Sequence, residues 1–75
     1  MVTIYSTAWC AFCKTEKQWL DSLGVAYESK MIDEDEDAMK EFEALDVGSG
    51  VPVTVIGDTI VRGFDRPALK NAIGI

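Results

Sequence analysis

The 75-residue sequence has no histidine and only two cysteines, Cys10 and Cys13. A structural zinc site needs four ligands, usually cysteine and histidine, so one copy of this chain cannot close one. A disulfide across so short a loop staples little, because the entropic gain shrinks with loop length. Packing must stabilise the chain, which leaves both sulfurs free for chemistry. Basic residues are also scarce, 7 against 13 acids for a net charge of −6, and they form no stripe. Nucleic-acid binding depends on phosphate neutralisation, so that class is set aside. The uncharged stretch Val47–Gly57 contains three glycines and a proline and is too short to cross a bilayer. The first residues have no basic region and no long apolar core, so neither a secretory signal nor membrane attachment is expected. A cytoplasmic location follows, where a CxxC pair is catalytic more often than structural.

Apolar types make up 48% of the chain and charged types 27%, the balance of a folded globular unit, read as one domain over residues 1–75. The acidic excess is local. Between Asp33 and Asp46 eight acids stand against Lys40 alone. Early carboxylates favour a helix dipole, so this run reads as a solvated helix start, with a partner-steering surface as the alternative.

Val2–Ser6 is β-branched and aromatic and predicts a strand. Thr7-Ala-Trp-Cys10 is a short loop, and Ala11–Leu23 predicts a helix with apolar positions at Phe12, Trp19, Leu20 and Leu23, closed by Gly24. Val25–Ile32 reads as a second strand. Asp33 is placed as the N-cap of a helix running to about Leu45, with Ala38, Met39, Phe42 and Leu45 on its inner stripe. Gly48-Ser-Gly50 is a flexible break. Val53–Ile56 and Thr59–Arg62 predict a hairpin across Gly57-Asp58. Gly63-Phe64 is a bend, and Asp65 caps a last helix through Ile73, with Pro67 in its first turn and Gly74 ending it. The order β-α-β-α-β-β-α predicts an α/β fold: a four-stranded mixed sheet whose first two strands are parallel, with three helices over both faces.

Cys10-x-x-Cys13 falls at the first strand-to-helix junction, with Cys10 at the N-cap and Cys13 one turn inside. A helix start offers unpaired N–H groups and the positive end of the dipole, and both favour a thiolate. Cys10 is therefore the expected nucleophile, ionised below the usual thiol value. Cys13 is expected to be less exposed and to resolve the mixed disulfide. The competing readings are a metal or iron–sulfur cluster shared across a dimer, and a purely structural disulfide. Lys14 either lowers nearby thiol values and meets an anionic substrate, or is a solvated helix lysine. Glu16, one turn past Cys13, is read as a side chain that reaches water, with a base for Cys13 as the alternative.

Val2-Thr-Ile-Tyr-Ser6, Trp9-Cys-Ala-Phe-Cys-Lys14, Gly50-Val-Pro-Val53 and Gly63-Phe-Asp65 resemble, in order and spacing, the glutaredoxin branch of the thioredoxin superfamily. The likeness covers nearly the whole chain. It implies a thioredoxin-like fold and thiol–disulfide oxidoreductase activity on protein or glutathione-type mixed disulfides. It implies that Val51-Pro52 forms a cis-proline bend beside the cysteines, with the Val51 backbone pairing an extended thiol peptide. The plainer reading of Pro52 is a residue that starts a strand. It further implies that Gly63, Phe64 and Asp65 face the end of glutathione, although Asp65 also serves simply as a helix cap. Trp9, directly before Cys10, is read as an apolar docking surface over the nucleophile, and Phe12, between the cysteines, as a binding residue without the hydroxyl of the common tyrosine.

Several features depart from the family pattern. Trp9 before Cys10 is more like thioredoxin, Ala11 replaces proline and Phe12 the common tyrosine. No lysine stands a few residues before Cys10, and Gly50 replaces a frequent threonine; these two weaken the case for tight glutathione binding. Two electron routes stay open: glutathione or a similar low-molecular-weight thiol as co-substrate, or thioredoxin reductase recharging a redoxin that serves ribonucleotide reductase. A dimeric iron–sulfur carrier is the competing binding role. No resident cofactor or metal is expected, and a monomer acting on disulfide-containing proteins is the default.

Overall fold

The computed structural model describes residues Val2–Gly48 and Gly50–Ile75; Met1 and Ser49, the centre of the expected glycine break, lie outside the described residues. The chain forms β1 (Val2–Ser6), α1 (Ala11–Ser22), β2 (Glu28–Met31), α2 (Glu36–Ala44), β3 (Val53–Ile56), β4 (Thr59–Arg62) and α3 (Arg66–Ile73). The sheet order is β2-β1-β3-β4. β1 runs parallel to β2, from Thr3 opposite Glu28 to Ser6 opposite Met31. β3 is antiparallel to β1, with Ile4 opposite Thr54, and β4 is antiparallel to β3, with Thr54 opposite Val61.

Successive strand residues point to opposite faces, and β1 separates the two halves of the core. Val2 and Ile4 pack with Leu20 of α1, joined by Trp19, Val25, Ile56 and Ile73 of α3. Tyr5 points the other way, to Phe42 of α2 and Val53. Helices α1 and α3 thus cover one face and α2 the other. Tyr5 Oη donates to Glu41 Oε1 at 3.0 Å, as does Lys30 Nζ at 2.6 Å, and these bonds hold α2 to the sheet edge.

The last helix follows the sequence rules closely. Asp65 Oδ1 accepts from Ala68 N at 3.2 Å, Pro67 lies in the first turn, and Gly74 ends the helix at φ 88°, a left-handed conformation that glycine adopts without cost.

Five expectations need correction. The cap of α2 is Asp35, not Asp33: Asp35 Oδ1 accepts from Asp37 N at 2.9 Å and Ala38 N at 3.3 Å. Asp33 is engaged elsewhere, its Oδ2 accepting from Ala8 N at 3.0 Å. The second strand is four residues long rather than Val25–Ile32, because Val25 N still donates to Leu20 O behind the helix, at 3.0 Å. Met39 is 39% exposed, since the nine-residue α2 packs through Ala38 and Phe42, four apart, and Met39 lies at the edge of that stripe. In α1 the inward stripe is Cys13, Glu16 and Leu20, at spacings of three and four, while Phe12 and Leu23 face out. Glu16, read from sequence as reaching water, is therefore fully enclosed.

Candidate active site

Cys10 caps α1. Its backbone is extended, at φ −85° and ψ 110°, and its sulfur accepts from Cys13 N at 3.2 Å. Cys10 N donates back to Thr7 O at 3.4 Å and Lys14 N to Cys10 O at 3.3 Å, so the loop and the first helical turn both close on this residue. The two Cα atoms are 5.3 Å apart and the sulfurs lie at disulfide distance. Cys10 retains 7% exposure and Cys13 1%. Cys10 is thus the outer residue of the pair and Cys13 the enclosed one. No acidic side chain occupies the first turn of α1, so nothing there offsets the positive end of the helix.

The Val51–Pro52 peptide is cis. The Val51 carbonyl oxygen lies 3.8 Å from Cys10 Sγ, which brings this loop against the cysteine pair. Pro52 is buried, and its carbonyl accepts from Gly63 N at 2.8 Å, tying the bend before α3 to the same loop. Gly63 takes φ 79°, where a side chain would be strained. Asp65 is committed through Oδ1 to its own helix start. Phe64 is half-buried: its ring meets Trp19 edge-on at 5.8 Å between centroids, and the Arg66 guanidinium carbon lies 5.6 Å from its ring centroid.

Trp9 and Phe12 are 76% and 67% exposed. They stand one residue before and two after Cys10 in the chain, which puts exposed apolar side chains on both sides of it in sequence. Lys14 is exposed and makes no ion pair among the described residues. Lys17, by contrast, donates from Nζ to Ser6 Oγ at 2.9 Å, binding α1 to the end of β1. Among the described residues no cluster of three or more His, Cys, Asp or Glu side chains is arranged to hold a metal ion.

Behind the cysteines lies a pair that the residue types did not announce. Thr54 Oγ1 donates to Glu16 Oε2 at 2.5 Å, and both residues are 0% exposed. Burial raises the Glu16 carboxyl above its ordinary value; the Thr54 bond and the Lys17 charge act in the opposite direction. The available signal was spacing, since Glu16 lies three residues after Cys13 and four before Leu20, on one helical face.

The glutaredoxin family model matches residues 2–61. The chain belongs to the glutaredoxin family. A glutaredoxin-like 8.6 kDa protein of the rubredoxin operon of Clostridium pasteurianum is 33% identical over 73 residues, 97% of each chain. The glutaredoxin structure from Archaeoglobus fulgidus is 36% identical with a TM-score of 0.80, covering 96% of this chain and 84% of that one. NrdH-redoxin from Escherichia coli, described as a glutaredoxin-like protein with a thioredoxin-like activity profile, has a TM-score of 0.82 at 24% identity, covering 93% and 91%. That likeness shows the fold alone. The architecture of this glutaredoxin is thioredoxin-like, as the sequence resemblance implied, and no helix among the described residues is long and apolar enough to cross a membrane.

Proposed function

We propose that this glutaredoxin is a thiol–disulfide oxidoreductase in which Cys10 is the attacking thiolate and Cys13 the resolving thiol. The observation that carries this is the placement of Cys10 Sγ at the cap of α1, where it accepts from Cys13 N, with Cys10 the more exposed residue of the pair. A helix-start N–H and the uncompensated dipole stabilise a thiolate on Cys10. Reduced Cys10 attacks a substrate disulfide, one substrate sulfur leaves as a thiol, and Cys13 then attacks Cys10 and frees the other. The Val51 carbonyl beside Cys10 and the apolar Trp9 and Phe12 form the docking surface for an extended disulfide-containing peptide.

The co-substrate is glutathione or a similar low-molecular-weight thiol. Support comes from the Gly63-Phe64-Asp65 bend, which is tied to the Pro52 loop and brings a helix start toward the redox pair; helix-start N–H groups suit a carboxylate. A second reading has its own support. The exposed Trp9 and Gly50, where the family frequently has a threonine, favour a redoxin recharged by thioredoxin reductase and serving ribonucleotide reductase. Reduction of a glutathione mixed disulfide, coupled separately to glutathione with its reductase and to thioredoxin reductase, separates the two. Turnover with glutathione alone upholds the first reading, turnover with thioredoxin reductase alone upholds the second, and no turnover with either refutes both.

A further inference from the structure

The exchange chemistry above leaves one group unused. Glu16 follows Cys13 by three residues on α1, and residues at that spacing are neighbours on one helix face. Cys13 is 1% exposed and Glu16 0%. Thr54, two residues after Pro52, holds Oε2 from β3, while Oε1 has no hydrogen-bond partner among the described residues. A buried acceptor with an idle oxygen is costly, and native structures seldom retain one without a use. The helix-start N–H of Cys13 is already spent on Cys10 Sγ. Cys13, sealed from water, thus has neither that donor to favour its thiolate nor solvent to take its proton.

We infer that Glu16 is the general base of the resolving step, taking up the Cys13 thiol proton through its free carboxylate oxygen as Cys13 attacks Cys10. This rests on the oxidoreductase reading. With Cys10 joined to a substrate sulfur, the Cys13 proton passes to Glu16 and Cys13 Sγ attacks Cys10 Sγ. The Cys10–Cys13 bond forms and the Cys10–substrate bond breaks. The two cysteines are oxidised as a pair, and the substrate sulfur leaves with the bonding electrons, takes up a proton and is reduced. When the Cys10–Cys13 disulfide is later reduced, the carboxyl returns its proton to Cys13.

The surroundings suit this role. Burial favours the protonated carboxyl and so brings its proton affinity nearer that of a thiol. The charge that acts on Glu16 is Lys17, on its own helix, and β3 presents the neutral Thr54. The other ionisable groups on packed elements stand apart: Tyr5 of β1 points to the opposite face, and Arg62 of β4 and Arg66 and Lys70 of α3 are exposed.

The test follows both thiols of the reduced chain in one experiment with dithiodipyridine. The first thiopyridone released reports attack by Cys10, and the second reports attack by Cys13 on the mixed disulfide. In Glu16→Gln the second release should slow about a hundredfold relative to the first near neutral pH, a typical general-base contribution, and recover at alkaline pH where the thiol ionises unaided. Thr54→Val, which removes the bond favouring the carboxylate, should move the pH midpoint of the second release upward, and it tests the inference independently if Glu16→Gln does not fold. An unchanged ratio of the two releases, or a slowing of the second by the same factor at every pH, overturns the inference. A first release in the unsubstituted chain no faster than that of free cysteine overturns the oxidoreductase reading instead, so the two failures are distinguishable.

Discussion

Thr54 and Glu16 face each other between β3 and α1 with no water-accessible surface on either, joined by a 2.5 Å hydrogen bond. Burial holds the carboxyl of Glu16 above its ordinary value of 4.5. The folded chain therefore keeps a proton that the unfolded chain releases, and this group's contribution to stability falls as pH rises from the ordinary value through the raised one. Glu16→Gln has no such proton and should lack the fall. Urea unfolding of the oxidised protein across acidic to neutral pH checks this. The variant should gain on the unsubstituted chain through that window, with a constant difference below it; parallel curves throughout would contradict an elevated Glu16.

Cys10→Ser should abolish disulfide reduction, whereas Cys13→Ser should still form the mixed disulfide and stall there. In the reduced protein Cys10 should be alkylated by iodoacetamide about tenfold faster than a free thiol near neutral pH, since motifs of this kind ionise at roughly pH 3.5–7.5. Rates matching free cysteine would remove the basis for assigning Cys10 as the nucleophile.

Asp65 carries two roles that substitution can separate. Asp65→Ala loses the cap on α3 and should cost about 1 kcal/mol of stability, while Asp65→Ser keeps a capping oxygen and should cost only a few tenths. If the carboxylate also meets glutathione, both variants should raise KM for a glutathione mixed disulfide. Equal KM values for both variants and the unsubstituted chain would limit Asp65 to the helix cap.

Trp9→Ala and Phe12→Ala remove exposed rings, so thermal stability should change by within about 0.5 kcal/mol. Steady-state kinetics should show a higher KM for a peptide or protein disulfide and a smaller change for a glutathione-sized substrate. Equal effects on both substrate classes would argue against a docking surface.

The parts of this fold set by neighbouring residues were legible along the chain. β1, β3, β4 and α3 stand where β-branched and aromatic residues, the Gly57 turn, the Asp65 cap and the Gly74 stop placed them, because each signal acts within a few residues. The same locality put Cys10 at a helix start and Cys13 one turn inside. The cap of α2 was ambiguous, because Asp33 and Asp35 are equally good capping residues by type. Only the fold, by bringing Ala8 N to Asp33 from 25 positions away, assigned them different duties.

Sequence alone determined the order of elements, the CxxC pair and its place at a helix start, since these follow from local propensity and spacing. The tertiary structure decided which side of α1 turns inward, and with it the fate of Glu16. A charged side chain one turn from a cysteine satisfies its local helix equally well in water or in the core. Its burial beside Thr54, 38 residues away, was settled by the approach of β3, which supplied a donor to an otherwise enclosed carboxyl.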